Sequence, residues 1–286
     1  MNLKIIFSIV VIIFLAKSTI CQVKIIEGKI QSESGPIPYA TIGVKGKNLG
    51  TVSDENGHFK FSLETTASSL ETEEIIVSSL GYSEKLFKLK DIGTSSITIV
   101  LTKKGIPLKE IVIRTEKLQE KKLGNSTRAI LTGTTIFSQG EKVDDALGRE
   151  IGMILKTDGS FKLKDFNLYI TGNQFKNVKF RLQFYDLSTG KPTLIPVQND
   201  ILFDASIRKG WLKVDLVPYN VFIEDMKEIG VTIQWVKSEL LNEKSRYFVI
   251  SSDAPLFSKG LYRPESEASW LFPKFNLSLY LTVDTY

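Results

Sequence analysis

Short runs in which every second residue is hydrophobic recur along most of the chain after residue 21. In segments 40–44, 59–63 and 97–101, apolar side chains alternate with polar or small ones. A period of two places successive side chains on opposite faces of a strand, whereas the spacing of an amphipathic helix is almost absent. Gly, Pro, Asn and Asp residues separate the runs at turns. The pattern predicts an all-β protein whose short antiparallel strands pack as sandwiches.

Seven further strand-like segments follow residue 129, which is enough for a second, jelly-roll-like sandwich. These segments are 150–156, 166–170, 178–185, 211–217, 229–236, 247–251 and 276–283. Residues 115–129 are highly charged and do not alternate, so we interpret them as a linker, with a short solvated helix or a long loop within one domain as alternatives. The predicted organisation is therefore a first sandwich at 22–114, a linker at 115–129 and a second sandwich at 130–286.

The first 21 residues have the pattern of a secretory signal peptide. Lys4 is followed by an apolar run over residues 5–16, and Lys17 begins a more polar stretch. This run is shorter than the roughly 20 residues that span a bilayer. An anchor helix that stays attached is the alternative. We expect export to the periplasm or cell envelope, with no stable membrane span after the signal is removed.

Cys21 lies at the predicted processing site, where two outcomes are open. A signal peptidase could cut after Cys21, because Thr19 and Cys21 are small, and Gln22 would then become the first residue. Lipidation of Cys21 would instead produce an outer-membrane lipoprotein. Lipoprotein signals usually carry a small residue before the cysteine, and here that residue is Ile20. We favour cleavage before Gln22.

Composition narrows the function classes. The 286 residues are enough for about two domains, and 37 basic against 32 acidic residues give a net charge of +5. This excess is small and dispersed, so we expect no nucleic acid partner. The chain has one cysteine and one histidine, His58. These counts exclude an internal disulfide framework, a multi-cysteine metal site and any zinc site with two histidines.

Several motifs resemble those of the carboxypeptidase-regulatory-like domain, a transthyretin-like β-sandwich, over residues 27–113. The matching stretches are Glu27-Gly28-Lys29-Ile30, Gly35-Pro36-Ile37-Pro38-Tyr39-Ala40-Thr41-Ile42, Gly50-Thr51-Val52-Ser53-Asp54-Glu55-Asn56-Gly57-His58-Phe59-Lys60-Phe61, Ile76-Val77-Ser78-Ser79-Leu80-Gly81-Tyr82 and Leu108-Lys109-Glu110-Ile111-Val112-Ile113. The version with Gly81-Tyr82 and the last of these stretches is similar to that of Bacteroidetes surface proteins, many of them TonB-dependent receptors. In those receptors the domain leads into a plug, whereas here it leads into the charged segment.

The resemblance implies an adaptor domain without catalysis of its own. In metallocarboxypeptidases a separate zinc domain performs the reaction, and its zinc site uses two histidines and a glutamate. His58 alone cannot supply such a site, so a zinc carboxypeptidase is excluded. Asp54, Glu55 and Asn56 form either a tight turn, which we favour, or a weak calcium site. We expect no cofactor.

Tryptophans of the second domain are the candidate ligand-binding residues. If Leu212, Val214 and Leu216 face the core, then Trp211, Lys213 and Asp215 face outward. Trp270 lies near a predicted loop, and Asp186 begins another. Trp235 shares a strand face with apolar residues, which predicts a core position. Trp211 and Trp270, with Asp215 and Asp186, are therefore expected to bind ligand.

The leading hypothesis is a secreted, non-enzymatic binding or accessory protein that engages a glycan or an envelope protein. An envelope scaffold without a small ligand is the structural alternative. A polysaccharide or ester hydrolase is the enzymatic alternative, because a glycosidase needs only two carboxylates about 5–10 Å apart. The available carboxylates are Asp186, Asp200, Asp204, Asp215, Glu224 and Asp225. No catalytic residue is assigned, because the sequence does not bring any two of them together.

Overall fold

The computed structural model describes residues 22–65, 71–93, 96–105, 119–129, 133–136, 147–253 and 259–285. The predicted signal peptide with Cys21 lies outside these residues, as does the 108–113 motif, whereas the backbone of Gln22 begins the first strand. None of the helices in the described ranges has the length and apolarity needed to cross a membrane. The prediction of an all-β protein is confirmed.

The first domain is a sandwich of two four-stranded sheets. Its strands are β1 (Gln22–Ser32), β2 (Gly35–Pro36), β3 (Thr41–Val44), β4 (Gly50–Val52), β5 (His58–Thr65), β6 (Glu74–Ser78), β7 (Lys85–Lys88) and β8 (Ile97–Val100). One sheet has the order β2-β1-β5, with β8 parallel to β1, and the other has the order β4-β3-β6-β7. A 3-10 turn at Leu89–Asp91 follows β7.

Alternating apolar side chains from both sheets form the core of this domain, as the sequence predicts. Ile26 and Phe61 come from one sheet, and Ile42, Ile75 and Val77 come from the other. These side chains are largely withdrawn from water, which is the main favourable contribution to folding.

The second domain contains strands β9 to β20, and two of these strands are unusually long. The bounds are β9 (Gln119–Gly124), β10 (Gly133–Thr135), β11 (Glu150–Asn173), β12 (Phe175–Asp186), β13 (Thr193–Leu194), β14 (Ile201–Ala205), β15 (Gly210–Asp215), β16 (Phe222–Leu240), β17 (Phe248–Asp253), β18 (Gly260–Arg263), β19 (Asn276–Leu277) and β20 (Leu279–Thr285). A 3-10 turn at Val217–Tyr219 joins β15 to β16.

A single strand, β11, belongs to both faces of this sandwich. Its first half pairs with β16 and β18, whereas its second half pairs with β15, β20 and β17. Irregularities around Gly159, which has φ +104°, interrupt the ladder between the halves. The sequence predicts two strands, 150–156 and 166–170, because the polar residues between them resemble a turn. They form a bulged crossing instead, because bulges bend a strand without ending it.

Aromatic rings fill the core that the 12-stranded sheet of the second domain encloses. Phe166 on β11 contacts Phe203 on β14 at 5.7 Å between ring centroids, and Phe180 on β12 contacts Phe248 on β17 at 5.1 Å. Trp235 is fully buried beside Phe180. Its predicted core position is confirmed.

Residues 119–124, which belong to the segment interpreted as a linker, form strand β9. This strand pairs antiparallel with β20 along its whole length, from Gln119 opposite Thr285 to Gly124 opposite Tyr280. Only Leu123 is buried, because β9 is an edge strand whose other side chains face water. Lysines on such an edge hinder pairing with other chains, which explains a strand without hydrophobic alternation.

Candidate functional site

Three neighbouring strands of the second domain present one outward surface, here named the Trp211 face. Its exposed members are Trp211 and Lys213 on β15, and Tyr280 on β20 is half-buried. Its remaining members are buried side chains on the same side of the sheet, namely Asp165, Asn167 and Tyr169 on β11 and Thr282 on β20. Strand register sets them side by side: Tyr169 lies opposite Trp211, and Asn167 lies between Lys213 and Tyr280. Their sequence neighbours point into the core, since side chains alternate across a strand.

The alternation predicted for β15 is present in the structure. Leu212 and Val214 pack against the core, and Leu216 is buried just beyond the strand. Trp211 and Lys213 are exposed on the opposite side. The sequence therefore orients Trp211 correctly, although it does not show which strands lie beside β15.

The indole of Trp211 stands between two tyrosines. Its centroid lies 5.3 Å from that of Tyr169 and 5.1 Å from that of Tyr280, with both pairs close to perpendicular. Such edge-to-face contacts hold rings in place. Trp211 remains 38% exposed, whereas Tyr169 is 7% exposed. The Lys122 ammonium lies 5.0 Å from the ring centroid of Tyr280. The indole is thus a supported aromatic surface that is open to water.

Asp165 organises the polar part of the Trp211 face. Its carboxylate accepts hydrogen bonds from Thr282 Oγ1 at 2.8 Å and from Asn167 Nδ2, and it pairs with Lys213 Nζ at 3.1 Å. Partial burial acts to raise the pKa of this carboxyl, but the three donors outweigh burial and hold the pKa below its usual value. Asp165 is therefore a fixed negative charge within hydrogen-bonding range of an amide, a hydroxyl and an ammonium group.

Asp215, a predicted ligand-binding residue, ends the same strand face. It lies opposite Asp165 in the β11–β15 ladder and is exposed. Its Oδ1 accepts the backbone N–H of Val217 at 3.0 Å, at the 3-10 turn that follows β15. One carboxylate oxygen of Asp215 is thus engaged in the turn at the rim of the Trp211 face.

Trp270 lies elsewhere, above a buried ion pair. The Arg263 guanidinium is 4.7 Å from its ring centroid, and the ring of Tyr185 meets it nearly perpendicularly at 4.9 Å. Arg263 Nη2 contacts Oε2 of Glu150, which is completely buried, at 2.6 Å. Burial and then the nearby Glu150 raise the pKa of Tyr185. Trp270 is half-buried and shields this charge pair from water.

Asp186 and the 54–56 turn use their oxygens locally. Asp186 accepts hydrogen bonds from the backbone N–H of Ser188 at 2.8 Å and from its hydroxyl at 3.0 Å. Asp54 Oδ1 accepts the N–H groups of Asn56 and His58, both at 2.8 Å. These are the bonds of side-chain-stabilised turns. Within the described ranges, no group of three or more His, Cys, Asp or Glu side chains could hold a metal ion.

A cleft of about 430 Å³ lies between the two domains. One wall includes Tyr82 of the first domain, and the other includes Ile195 and Val197 of the second. Arg181 also lines the cleft, but its guanidinium already binds Asp200, Gln234 and the Tyr39 carbonyl. The guanidinium of Arg181 thus serves internal contacts in this cleft.

Sequence reasoning missed most of the Trp211 face. Asp165, Asn167 and Tyr169 alternate with buried Phe166 and Leu168, and Tyr280 and Thr282 alternate with buried leucines and a valine. That alternation marks them as outward-facing. Pairing between strands distant in the sequence brings them to Trp211, and no local pattern reveals it.

Comparisons with known proteins concern mainly the first domain. Residues 26–113 match the CarboxypepD_reg-like domain, which confirms the resemblance seen in the sequence. No curated protein matches the chain. One matching solved structure is described as "Structure of infectious bursal disease virus Gx strain", with 10% identity and a TM-score of 0.25. That alignment covers 92% of this chain and 64% of the viral chain, and a TM-score this low supports no conclusion.

Proposed function

We propose, from the premise that residues 26–113 form a carboxypeptidase-regulatory-like domain, that this protein is an exported, non-enzymatic binding protein whose second domain binds a glycan on the Trp211 face. The observation that carries the proposal is the open indole of Trp211 beside the Asp165 network. An exposed aromatic ring packs against the C–H surface of a sugar, while carboxylate, amide and ammonium groups satisfy its hydroxyls.

The Trp211 face presents the indole of Trp211 and the ammonium of Lys213 to water, whereas Asp165 and Asn167 are only 7% and 4% exposed. Neighbouring tyrosine rings brace Trp211, and Asp165 is held by its three donors. Since ordering side chains opposes binding, a preformed surface retains more of its interaction energy. Lys213, which is exposed and pairs with Asp165 at 3.1 Å, is the neighbour best placed to exchange that contact for contacts to sugar hydroxyls.

The signal-peptide pattern of the first 21 residues supports export, with Gln22 as the expected new N-terminus. Periplasmic or envelope fractionation combined with N-terminal mass spectrometry tests this proposal. A peptide beginning at Gln22 supports simple cleavage. A lipid-modified Cys21 supports a lipoprotein, and a retained N-terminus contradicts processing.

Glycan binding is tested by an array of soluble polysaccharides, followed by titration of any ligand found. Trp211→Ala should reduce affinity at least tenfold, or about 1.4 kcal/mol. Phe272→Ala is the matched control, because Phe272 is an aromatic residue, 47% exposed, in the loop after Trp270. An empty array, or equal losses in both variants, would favour the envelope scaffold instead.

A further inference from the structure

We propose that the outward surface of strands β12 and β16 is a specific docking surface for the first domain of the same chain. The two sandwiches would then bind each other as separate proteins do, and would stay together without the covalent connection. The Trp211 face lies on other strands, namely β11, β15 and β20, and the proposal does not depend on glycan binding.

Arg181 is the polar centre of the docking surface. Its side chain points away from the core of the second domain, since its neighbours Phe180 and Leu182 are core residues. Nη2 donates to the Tyr39 carbonyl of the first domain at 2.8 Å. Asp200 and Gln234 accept the other hydrogen bonds of the guanidinium, at 2.8 to 3.0 Å.

Burial makes this contact selective. Arg181 is 5% exposed, and a buried charge is costly unless its donors are paired. The Tyr39 carbonyl supplies one of the acceptors, and it does so from the other domain. Tyr39 adopts a left-handed backbone conformation with φ 53°, and it is itself buried. If the domains separate, the Arg181 guanidinium loses one acceptor and the Tyr39 carbonyl loses its donor, and both must be hydrated instead.

Apolar and ionic contacts surround the arginine. Tyr39 and Val52 of the first domain form a buried cluster with Val236 of the second. Beside the cluster, Lys237 Nζ lies 2.9 Å from Glu55 Oε1, and the Tyr39 hydroxyl donates to the same oxygen at 2.9 Å. The hydrogen bond from Lys237 is the largest influence lowering the pKa of Glu55. An apolar centre with a charged rim is the usual anatomy of a protein interface.

The loop after β18 makes a second contact with the first domain. Glu265 Oε2 accepts the N–H of Gly50 at 2.8 Å, and Ser269 N–H donates to Asn48 Oδ1 at 3.3 Å. The Ser266 carbonyl oxygen lies 2.3 Å from the position that a Cβ on Gly50 would occupy. The loop can therefore approach the β3–β4 hairpin only because residue 50 has no side chain.

A cut in the connection tests whether docking needs the covalent chain. A protease recognition sequence inserted within residues 114–118, between the end of the matched domain and strand β9, allows the folded full-length protein to be cleaved. The two fragments should elute together in size-exclusion chromatography at micromolar concentration. Separation of the fragments under these conditions would overturn the proposal.

Charge reversal tests the specificity of the cleaved pair. Lys237→Glu should lower the association constant of the two fragments several-fold, because it removes one ion pair at the rim of the interface. Glu55→Lys combined with Lys237→Glu should restore the association constant. Lys176→Glu is the matched control, because Lys176 pairs with Glu239 within the second domain at 3.1 Å. Equal effects of Lys237→Glu and Lys176→Glu would contradict a specific interface.

Hydrogen exchange on the intact chain provides a readout that needs no cleavage. Val236→Asp places a carboxylate in the apolar cluster, and it should deprotect the Gly50 and Ser269 amides together by at least tenfold. The amide of Ile30, whose side chain is in the core of the first domain, should keep its protection. If the Gly50 and Ser269 amides exchange at unchanged rates, the docking surface does not hold the domains together.

Discussion

The Trp211 indole meets the Tyr280 ring at 5.1 Å and 73°, although the two residues lie on strands that do not pair with each other. Strand β11 separates β15 from β20, and both rings extend above it. The contact joins the exposed indole to β20, the last strand of the second domain. A substitution of Trp211 should therefore lower the free energy of unfolding of this domain as well as change the Trp211 face.

We expect Trp211→Ala to destabilise the second domain only slightly. The substitution removes two edge-to-face ring contacts from a partly exposed position, which corresponds to about 1–2 kcal/mol. Urea unfolding followed by circular dichroism gives the free energy of unfolding. Phe272→Ala, which removes an exposed ring from a loop, should cost less. A loss above roughly 4 kcal/mol would mean that Trp211 acts as a core residue.

Stability should fall on acidification through the titration of Asp165. Its pKa is lowered in the folded protein, so its contribution is fully present above the unfolded value of about 3.9. The contribution is lost as pH falls through the folded pKa. Unfolding measured from pH 7 to pH 2 should decline less steeply in Asp165→Asn. Asp215→Asn, which removes the same charge from β15, controls for net charge. If the free energy of unfolding falls equally with pH in the wild type and in Asp165→Asn, Asp165 does not contribute to the loss of stability in acid.

Gly28→Ala should disrupt the first domain. A Cβ at residue 28 would lie 2.1 Å from the carbonyl oxygen of Ile97, so β8 could no longer pair closely with β1. Overpacking of this kind costs about 3 kcal/mol. Thermal unfolding measures the loss. Gly105→Ala is the control, because nothing lies within 4 Å of its added Cβ and its backbone is not left-handed. Equal melting temperatures for the two variants would refute the close approach.

Trp235→Ala should cost about 3–5 kcal/mol of folding free energy, since it leaves a cavity where a fully buried indole contacts Phe175, Phe180 and Phe248. Chemical denaturation monitored by circular dichroism tests this value. Trp235→Phe, which fills part of the cavity, should cost less. A loss under 1 kcal/mol would show that the buried indole contributes little to the stability of the core.

The sequence predicts the first domain in more detail than the second. Its motifs match a known domain family, and its turns carry their own signals: Asp54 accepts N–H groups from two and four residues ahead, and Gly57 takes φ 78°. Both features are local. The continuity of β11 through Gly159 was not predicted, because a bulge and a turn use the same residue types.

By itself, the sequence determined that this protein is built of β-strands, that residues 27–113 resemble a carboxypeptidase-regulatory-like domain, and that Trp211 faces outward while Trp235 faces inward. Period-two alternation within a single strand determines the orientations of both tryptophans. Only the tertiary structure decided that Trp211 stands between Tyr169 and Tyr280, that β9 joins the second sandwich, and that Arg181 reaches Tyr39. Such relationships depend on which strands and domains become neighbours, and backbone pairing between distant segments leaves no periodicity in the chain.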